Sequence, residues 1–145
     1  MKVLVDSNIL FSTVLRVDSL VARTLFYVQQ YHQVYLTQQN LTELRQVVAT
    51  KIPHLLPQMN KLLDNLSYIV LPTVPVSRQQ IRDVSDQPIL DAAINADIDV
   101  ILTGDKDFLE LGLEKPKCMN VHDFLQAEGV DAKKLLSIPQ FFIVK

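Results

Sequence analysis

The chain has 145 residues, a formal net charge of −2 and a pI of about 5.9, which favours one domain and argues against a protein held to nucleic acid by bulk charge. Apolar residues make up 48% and charged residues 21%, so the composition excludes a disordered chain. The lone Cys118, read as a small buried hydrophobe, excludes an internal disulfide; no apolar run reaches membrane length and "MKVLVD" is no signal segment, so a cytoplasmic protein is expected.

Lys2–Asp6 is a short run of Val and Leu, which fits a strand buried on both faces. Helical spacing follows from Ile9 to Tyr31, with a break near Asp18–Ser19. Gln33–Leu36, "QVYL", reads as a second strand. Thr37 suits the N-cap of a helix to Thr50, whose Leu41, Leu44, Val47 and Val48 form one apolar stripe. Pro53 opens a further helix through Leu66, with its true start delayed by Pro57. Tyr68–Leu71 is a strand, and Pro72 to Val84 is a connection. Ser85 or Asp86 caps a helix to Ala96, with Pro88 tolerated in its first turn. Asp99–Leu102 is a strand, Lys106–Leu111 a short helix, Lys117–Asn120 a strand and Val121–Ala127 a last short helix. The tail, residues 129–145, receives no element, although its "IPQFFIV" is apolar enough to cover the domain or a partner.

Alternating strands and helices imply βαβ units, hence a parallel sheet with helices on both faces and one domain over residues 1–145. Ligands of such sheets bind beyond the carboxyl ends of the strands. Two strands here end in acids: "KVLVDSN" delivers Asp6 with Asn8, and "VILTGDKD" delivers Asp105 and Asp107 after Thr103. Glu43, early on the helix after the second strand, and Asp86, at the start of a later helix, can converge on the same edge. Carboxylates so gathered repel unless a cation joins them. An all-oxygen donor set without paired His or Cys suits Mg²⁺ or Mn²⁺ rather than Zn²⁺, and implies metal-assisted hydrolysis of a phosphodiester.

Each residue also has an ordinary reading. Asp6 could cap the following helix, Asp105 and Asp107 could form a turn after Gly104, and Asp86 could oppose a helix dipole. Glu43 could be an exposed helix residue, Asp91 could support the site or face water, and Asp83 and Glu110 read as solvated. Ser7 and Thr103 could orient carboxylates or water. His32, His54 and His122 show no ligand spacing and read as surface or packing residues. Eight acids fall between Asp83 and Glu110 with Lys106 as the only base. Arg16, Arg45, Lys51 and Lys106 are candidates for holding a nucleic-acid backbone.

At these residues the sequence resembles the PIN-domain family of metal-dependent ribonucleases. "VLVDSNIL" resembles the family's opening strand, "LTELRQVV" its Glu-bearing helix, and "SDQPILDAAINADIDVILTGDKDFL" its closing helix, strand and acidic tip. The likeness is greatest to the branch described as toxin components of prokaryotic toxin–antitoxin pairs, and runs from about Val3 to about Leu125. It implies a three-layer α/β/α sandwich, Rossmann-like, with a central parallel sheet and a Mg²⁺ or Mn²⁺ site. Carried over residue by residue, Asp6, Glu43, Asp86 and Asp105 match the acidic quartet, with Asp6, Asp86 and Asp105 as metal ligands. Asp107 matches an often acidic fifth position, and Asn8 and Thr103 match supporting polar residues. The partners so implied are RNA as substrate, an antitoxin protein and a second copy of the chain. Two alternatives remain open: a binding module working through an antitoxin or dimer interface, and a phosphatase of the haloacid dehalogenase type. The latter needs a second Asp where Asn8 stands.

Overall fold

The structure, a computed structural model, describes residues 1–72 and 81–138. Five strands, β1 (Lys2–Val5), β2 (Gln33–Thr37), β3 (Tyr68–Leu71), β4 (Val100–Leu102) and β5 (Lys117–Met119), form one parallel sheet in the order β3-β2-β1-β4-β5. The helices among the described residues are α1 (Ser7–Leu15), α2 (Leu20–Tyr31), α3 (Gln38–Lys51), α4 (Leu56–Asn65), α5 (Gln87–Asn95), α6 (Lys106–Leu109), α7 (Val121–Glu128) and α8 (Ala132–Leu136). None is long and apolar enough to cross a membrane.

The period-2 alternation of each strand divides the core between the two faces of the sheet. Val3 and Val5 of β1, Val34 and Leu36 of β2, and Val100 and Leu102 of β4 pack with α1 to α4, α7 and α8. Leu4, Tyr35 and Ile101 point the other way, into a second cluster with Ile89, Leu90, Ala92 and Ala93 of α5, and Phe108 of α6. Val3, Leu4 and Val5 are all fully buried, because β1 is the middle strand of a sheet covered on both sides. The expected three-layer α/β/α architecture is therefore present.

From β1 the chain winds outward through β2 to β3, then returns to the other side of β1 to lay down β4 and β5. The reversal opens a crevice between the carboxyl ends of β1 and β4, the place where open α/β sheets build their sites. The amide of Asp6 donates to Leu102 O at 3.0 Å, so the two strand ends stay together up to the residue that leaves the sheet.

Several boundaries differ from the sequence reading. The delay expected after Pro53 takes the form of one 3₁₀ turn, Pro53–Leu55, followed by α4 from Leu56. Pro57 lies in the first turn of α4, where its missing N–H costs no helical bond. The α5 helix is preceded by another 3₁₀ turn, Val84–Asp86, capped by Asp83. Asp86 stands at the N-cap position of α5 but makes no capping hydrogen bond. The tail contains α8, to which the sequence reading gave no element although Asp131 is its N-cap; residues 139–145, with "FFIV", and the middle of the Pro72–Val84 connection lie outside the described residues.

His32 is packed, as expected, and also bonded. The Met1 amine lies 3.0 Å from His32 Nδ1, and His32 Nε2 closely meets Glu128 Oε1, which also accepts from the Tyr27 hydroxyl at 3.2 Å. This network joins the start of β1 to the ends of α2 and α7. A groove of about 460 Å³ beside it, between α2 and α8, is lined by Phe26, Tyr27, Tyr31, Val130, Leu135 and Ile138 among others, and holds none of the candidate residues.

Candidate active site

Asp6 is the first residue after β1 and is 5% exposed. A buried carboxylate needs donors, and Asp6 has three. The Ser7 amide donates to Oδ1 at 2.8 Å, Asn40 Nδ2 donates to Oδ1 at 3.2 Å, and Thr103 Oγ1 donates to Oδ2 at 2.7 Å. Burial nonetheless raises its pKa above the ordinary carboxylate value; the Thr103 and Ser7 hydrogen bonds oppose that rise, and the charges of Glu43 and Asp105 add to it.

Asn40 was not singled out by the sequence reading, although that reading capped the Glu-bearing helix at Thr37. It is fully buried. Its carbonyl closes a capping box with Thr37: Asn40 Oδ1 accepts from the Thr37 amide at 3.3 Å and from the Thr37 hydroxyl at 2.9 Å. Its amide nitrogen is left free to reach Asp6. The one signal for it was Thr37-x-x-Asn40 directly before an apolar stripe, a variant of the usual capping pattern.

One turn along α3, Glu43 is held by two donors. Ser7 Oγ donates to Oε2 at 2.8 Å, and Gln39 Nε2 donates to Oε1 at 2.9 Å. Gln39 also closely meets the Ser85 carbonyl, so it ties α3 to the 3₁₀ turn that carries Asp86. Ser7 in turn connects the Asp6 corner to Glu43. Gln39, too, went unnoticed in the sequence.

On β4's side, Thr103 is fully buried and uses its hydroxyl completely. It donates to Asp6 and accepts from the Asp105 amide at 3.0 Å and from Asn8 Nδ2 at 3.5 Å. Asn8 Oδ1 accepts from the Gly104 amide at 3.3 Å, so Asn8 clamps one strand end to the other. Asp105 is half-buried; its Oδ1 accepts from the Asp107 amide at 2.9 Å, capping α6 as the turn reading expected, while its charge acts on both Asp6 and Asp86.

Asp86 is half-buried and its pKa is pushed up to about 7. Burial is the largest cause, followed by the charges of Asp105, Asp6, Asp83 and Glu43. Asp6 and Asp86 thus lie within electrostatic reach of each other and of both Glu43 and Asp105. Asp83, read as merely solvated, is exposed but gathered in. Asp83, Asp86 and Asp107 each offer a carboxylate oxygen, the three lying within 4.8 Å of one another. The set is all oxygen and crowded with like charge, and burial together with that charge raises the Asp86 pKa to about 7. These residues fit a hard divalent cation.

The remaining candidates fall elsewhere. Asp91 is buried on α5 and accepts from Gln87 Nε2 at 2.9 Å, a supporting place. Arg16, Arg45, Lys51 and Lys106 are exposed, and Arg16 faces Asp18 at 3.7 Å. Among the described residues, the cation paired with these acids is Arg82, overlooked in the sequence: its Nε donates to Asp107 Oδ1 at 2.8 Å, and Nη2 lies 3.5 Å from Glu110. Cys118 is partly buried, and burial pushes its thiol up to about 11, so it is an inert thiol.

A family model described as the PIN domain matches residues 2–107. The chain belongs to the PIN-domain family. No curated protein matches it. The matched span begins with β1 and closes on Asp107, and so contains every acid discussed here from Asp6 to Asp107. PIN domains are in general nucleases that use divalent metals, and the crevice has the acidic character such a site needs.

Proposed function

We propose that this PIN domain, taken as one domain over residues 1–145, is an endoribonuclease dependent on Mg²⁺ or Mn²⁺, in which Asp6, Glu43, Asp86 and Asp105 carry the reaction. The observation that carries the reading is the convergence of these acids at the β1/β4 crevice, with Asp86 held near a pKa of about 7 by burial and its neighbours. Asp6, Asp86 and Asp105 would hold the ion, and Asp83 and Asp107, whose carboxylate oxygens gather with that of Asp86 within 4.8 Å, would share it. A bound divalent ion supplies neutralisation of phosphate charge and a water of lowered pKa.

The chain's own residues do the rest. Thr103, Asn40 and the Ser7 amide fix Asp6 through both of its oxygens, so the carboxylate is preorganised. Glu43, held by Ser7 and Gln39, faces the same crevice with its orientation set before substrate arrives. Asp86 would lose its proton on binding a divalent ion here, so this carboxylate would act by holding the ion. Asn8 has no part as a second acid: its amide is bonded to Thr103 and Gly104, which removes the support for a haloacid dehalogenase-type phosphatase.

The role as toxin of a toxin–antitoxin pair, acting as a homo-oligomer and silenced by a protein partner, rests on the likeness to that branch from about Val3 to about Leu125. Co-purification with the product of a small neighbouring gene, and loss of cleavage on adding it, is its test.

The nuclease reading is tested by incubating purified protein with mixed-sequence single-stranded RNA in Mn²⁺, in Mg²⁺ and in EDTA, beside Asp6→Asn and Asp105→Asn. Cleavage in either metal, absent in EDTA and reduced at least about a hundredfold in both variants, is expected. Full activity in both folded variants would overturn the site assignment.

A further inference from the structure

Arg82 lies just before the 3₁₀ turn that carries Asp86, and its side chain is 73% exposed. Two of its guanidinium nitrogens, Nε and Nη2, fall on the same oxygen of Asp107, and Nη2 also faces Glu110 at 3.5 Å. Asp107 is one of the three acids whose oxygens gather within 4.8 Å. The guanidinium therefore stands where a cation is wanted, on a carboxylate that a divalent ion would share. Among the described residues, no other ion pair reaches the acids of the crevice.

Two physical points decide what this arrangement can do. The pair is open to solvent on its Arg82 side, where the side chain is 73% exposed against 19% for Asp107, and a nearby divalent charge repels a guanidinium, so the Arg82–Asp107 pair gives way to a metal. A polyanionic substrate entering a crevice lined by six carboxyl groups needs a protein cation at its mouth, and a guanidinium fork matches a phosphate as well as it matches a carboxylate. We propose that Arg82 is an exchangeable counter-ion. It occupies Asp107 in the metal-free protein, and when a divalent ion takes that carboxylate it turns to hold a phosphate of the single-stranded RNA. This inference rests on the nuclease reading above and adds a substrate-positioning residue to it.

The test uses the full chain and the variants Arg82→Gln and Arg82→Lys. Mn²⁺ affinity is read by calorimetry, and binding of a phosphorothioate single-stranded RNA is read by fluorescence anisotropy in Mn²⁺ over a range of salt. Removing the competing cation should tighten Mn²⁺ binding by Arg82→Gln about threefold, the scale of a pair open to solvent on one side. The same variant should bind the RNA about three- to tenfold more weakly, with its salt slope reduced by about 0.7, the value of one phosphate contact on a single strand. Arg82→Lys keeps one charge and should recover the salt slope without the full affinity. A purely structural role would not tighten metal binding, so unchanged or weaker Mn²⁺ binding in Arg82→Gln overturns the exchange. Unchanged RNA affinity and slope overturn the phosphate contact. If the wild type cleaves RNA with Mn²⁺ while Arg82→Gln matches it in every reading, this inference alone fails. A wild type that binds no Mn²⁺ and cleaves nothing takes the nuclease reading down as well.

Discussion

Thr103 uses one hydroxyl for three partners: it donates to Asp6 and accepts from the Asp105 amide and from Asn8. Valine has the same branched shape without the oxygen. Thr103→Val would leave the buried Asp6 Oδ2 without that donor and two N–H groups without an acceptor. The cost should be about 1–3 kcal/mol in unfolding free energy, because buried polar groups lose their partners rather than being removed with them. It should also lift the Asp6 pKa further, since the Thr103 bond lowers it, and so weaken Mn²⁺ binding at neutral pH. Urea denaturation of Thr103→Val and Thr103→Ser tests this; equal stability of the valine variant and the wild type would show that the hydroxyl does not hold Asp6. At this scale the legible residues are those whose role is local. Asp6 and Asp105 end apolar runs, a pattern visible in a few letters. Asn40, Gln39 and Arg82 act on residues distant in the chain, Asn40 on Asp6 and Arg82 on Asp107. Their meaning depends on which helix start meets which strand end, and no periodicity carries that.

At the scale of elements, α3 carries both Asn40 and Glu43, so its first turn sets two distances at once. Thr37 is the last residue of β2 and the N-cap of α3, joined to Asn40 by the reciprocal capping box. Thr37→Ala removes the hydroxyl half of that box and should cost about 1 kcal/mol of stability. It also removes the 2.9 Å hydroxyl donor to the Asn40 carbonyl, leaving the backbone amide at 3.3 Å as the remaining half of the box to aim Asn40 at Asp6, and the rate of RNA cleavage should fall more than the stability loss explains. Thermal unfolding and single-turnover cleavage, measured well below the melting temperature, separate the two effects. A variant that loses stability but keeps the wild-type rate would confine Thr37 to the cap. The elements legible from sequence are those with caps or unbroken apolar patterns, such as β1 and α3. The α8 helix was missed because "AKKLL" spans five residues and buries only Leu135, too short a stretch for a period to show. The Val84–Asp86 turn was missed because Asp86 occupies a helix N-cap position without bonding as a cap, having turned its carboxylate to the crevice.

For the whole molecule, the fold class followed from strands alternating with helices, and the edge that carries the site followed from the carboxyl ends of those strands. Strand order was beyond reach, since the reversal at β1 depends on packing between both sheet faces. That reversal crowds acids into one crevice, and the crowding makes stability, pH and metal one linked problem. Asp86 has an ordinary carboxylate pKa of 3.8 in the unfolded chain and about 7 in the folded one. A raised folded-state pKa means that its contribution to stability is fully present below pH 3.8 and is lost as pH rises through 7. Metal-free protein therefore carries a penalty at about pH 8 that Asp86→Asn should relieve by about 1 kcal/mol, a figure reduced for the solvent that reaches this half-buried group. At about pH 4 the variant and the wild type should differ little. A divalent ion reverses the ranking. Ligands must be deprotonated to bind it, so apparent Mn²⁺ affinity should fall about tenfold for each pH unit below 7. With Mn²⁺ at about 100 times its dissociation constant near pH 8, the wild type should gain about 2.7 kcal/mol, and Asp86→Asn clearly less. Melting temperatures from about pH 5 to pH 8, in Mn²⁺ and in EDTA, should show the two wild-type curves converging at the acid end and separating through pH 7. A metal-induced shift as large at pH 5 as at pH 8, or an Asp86→Asn protein that responds to Mn²⁺ as the wild type does, would remove Asp86 from the metal site. It would leave its raised pKa a consequence of burial and crowding alone.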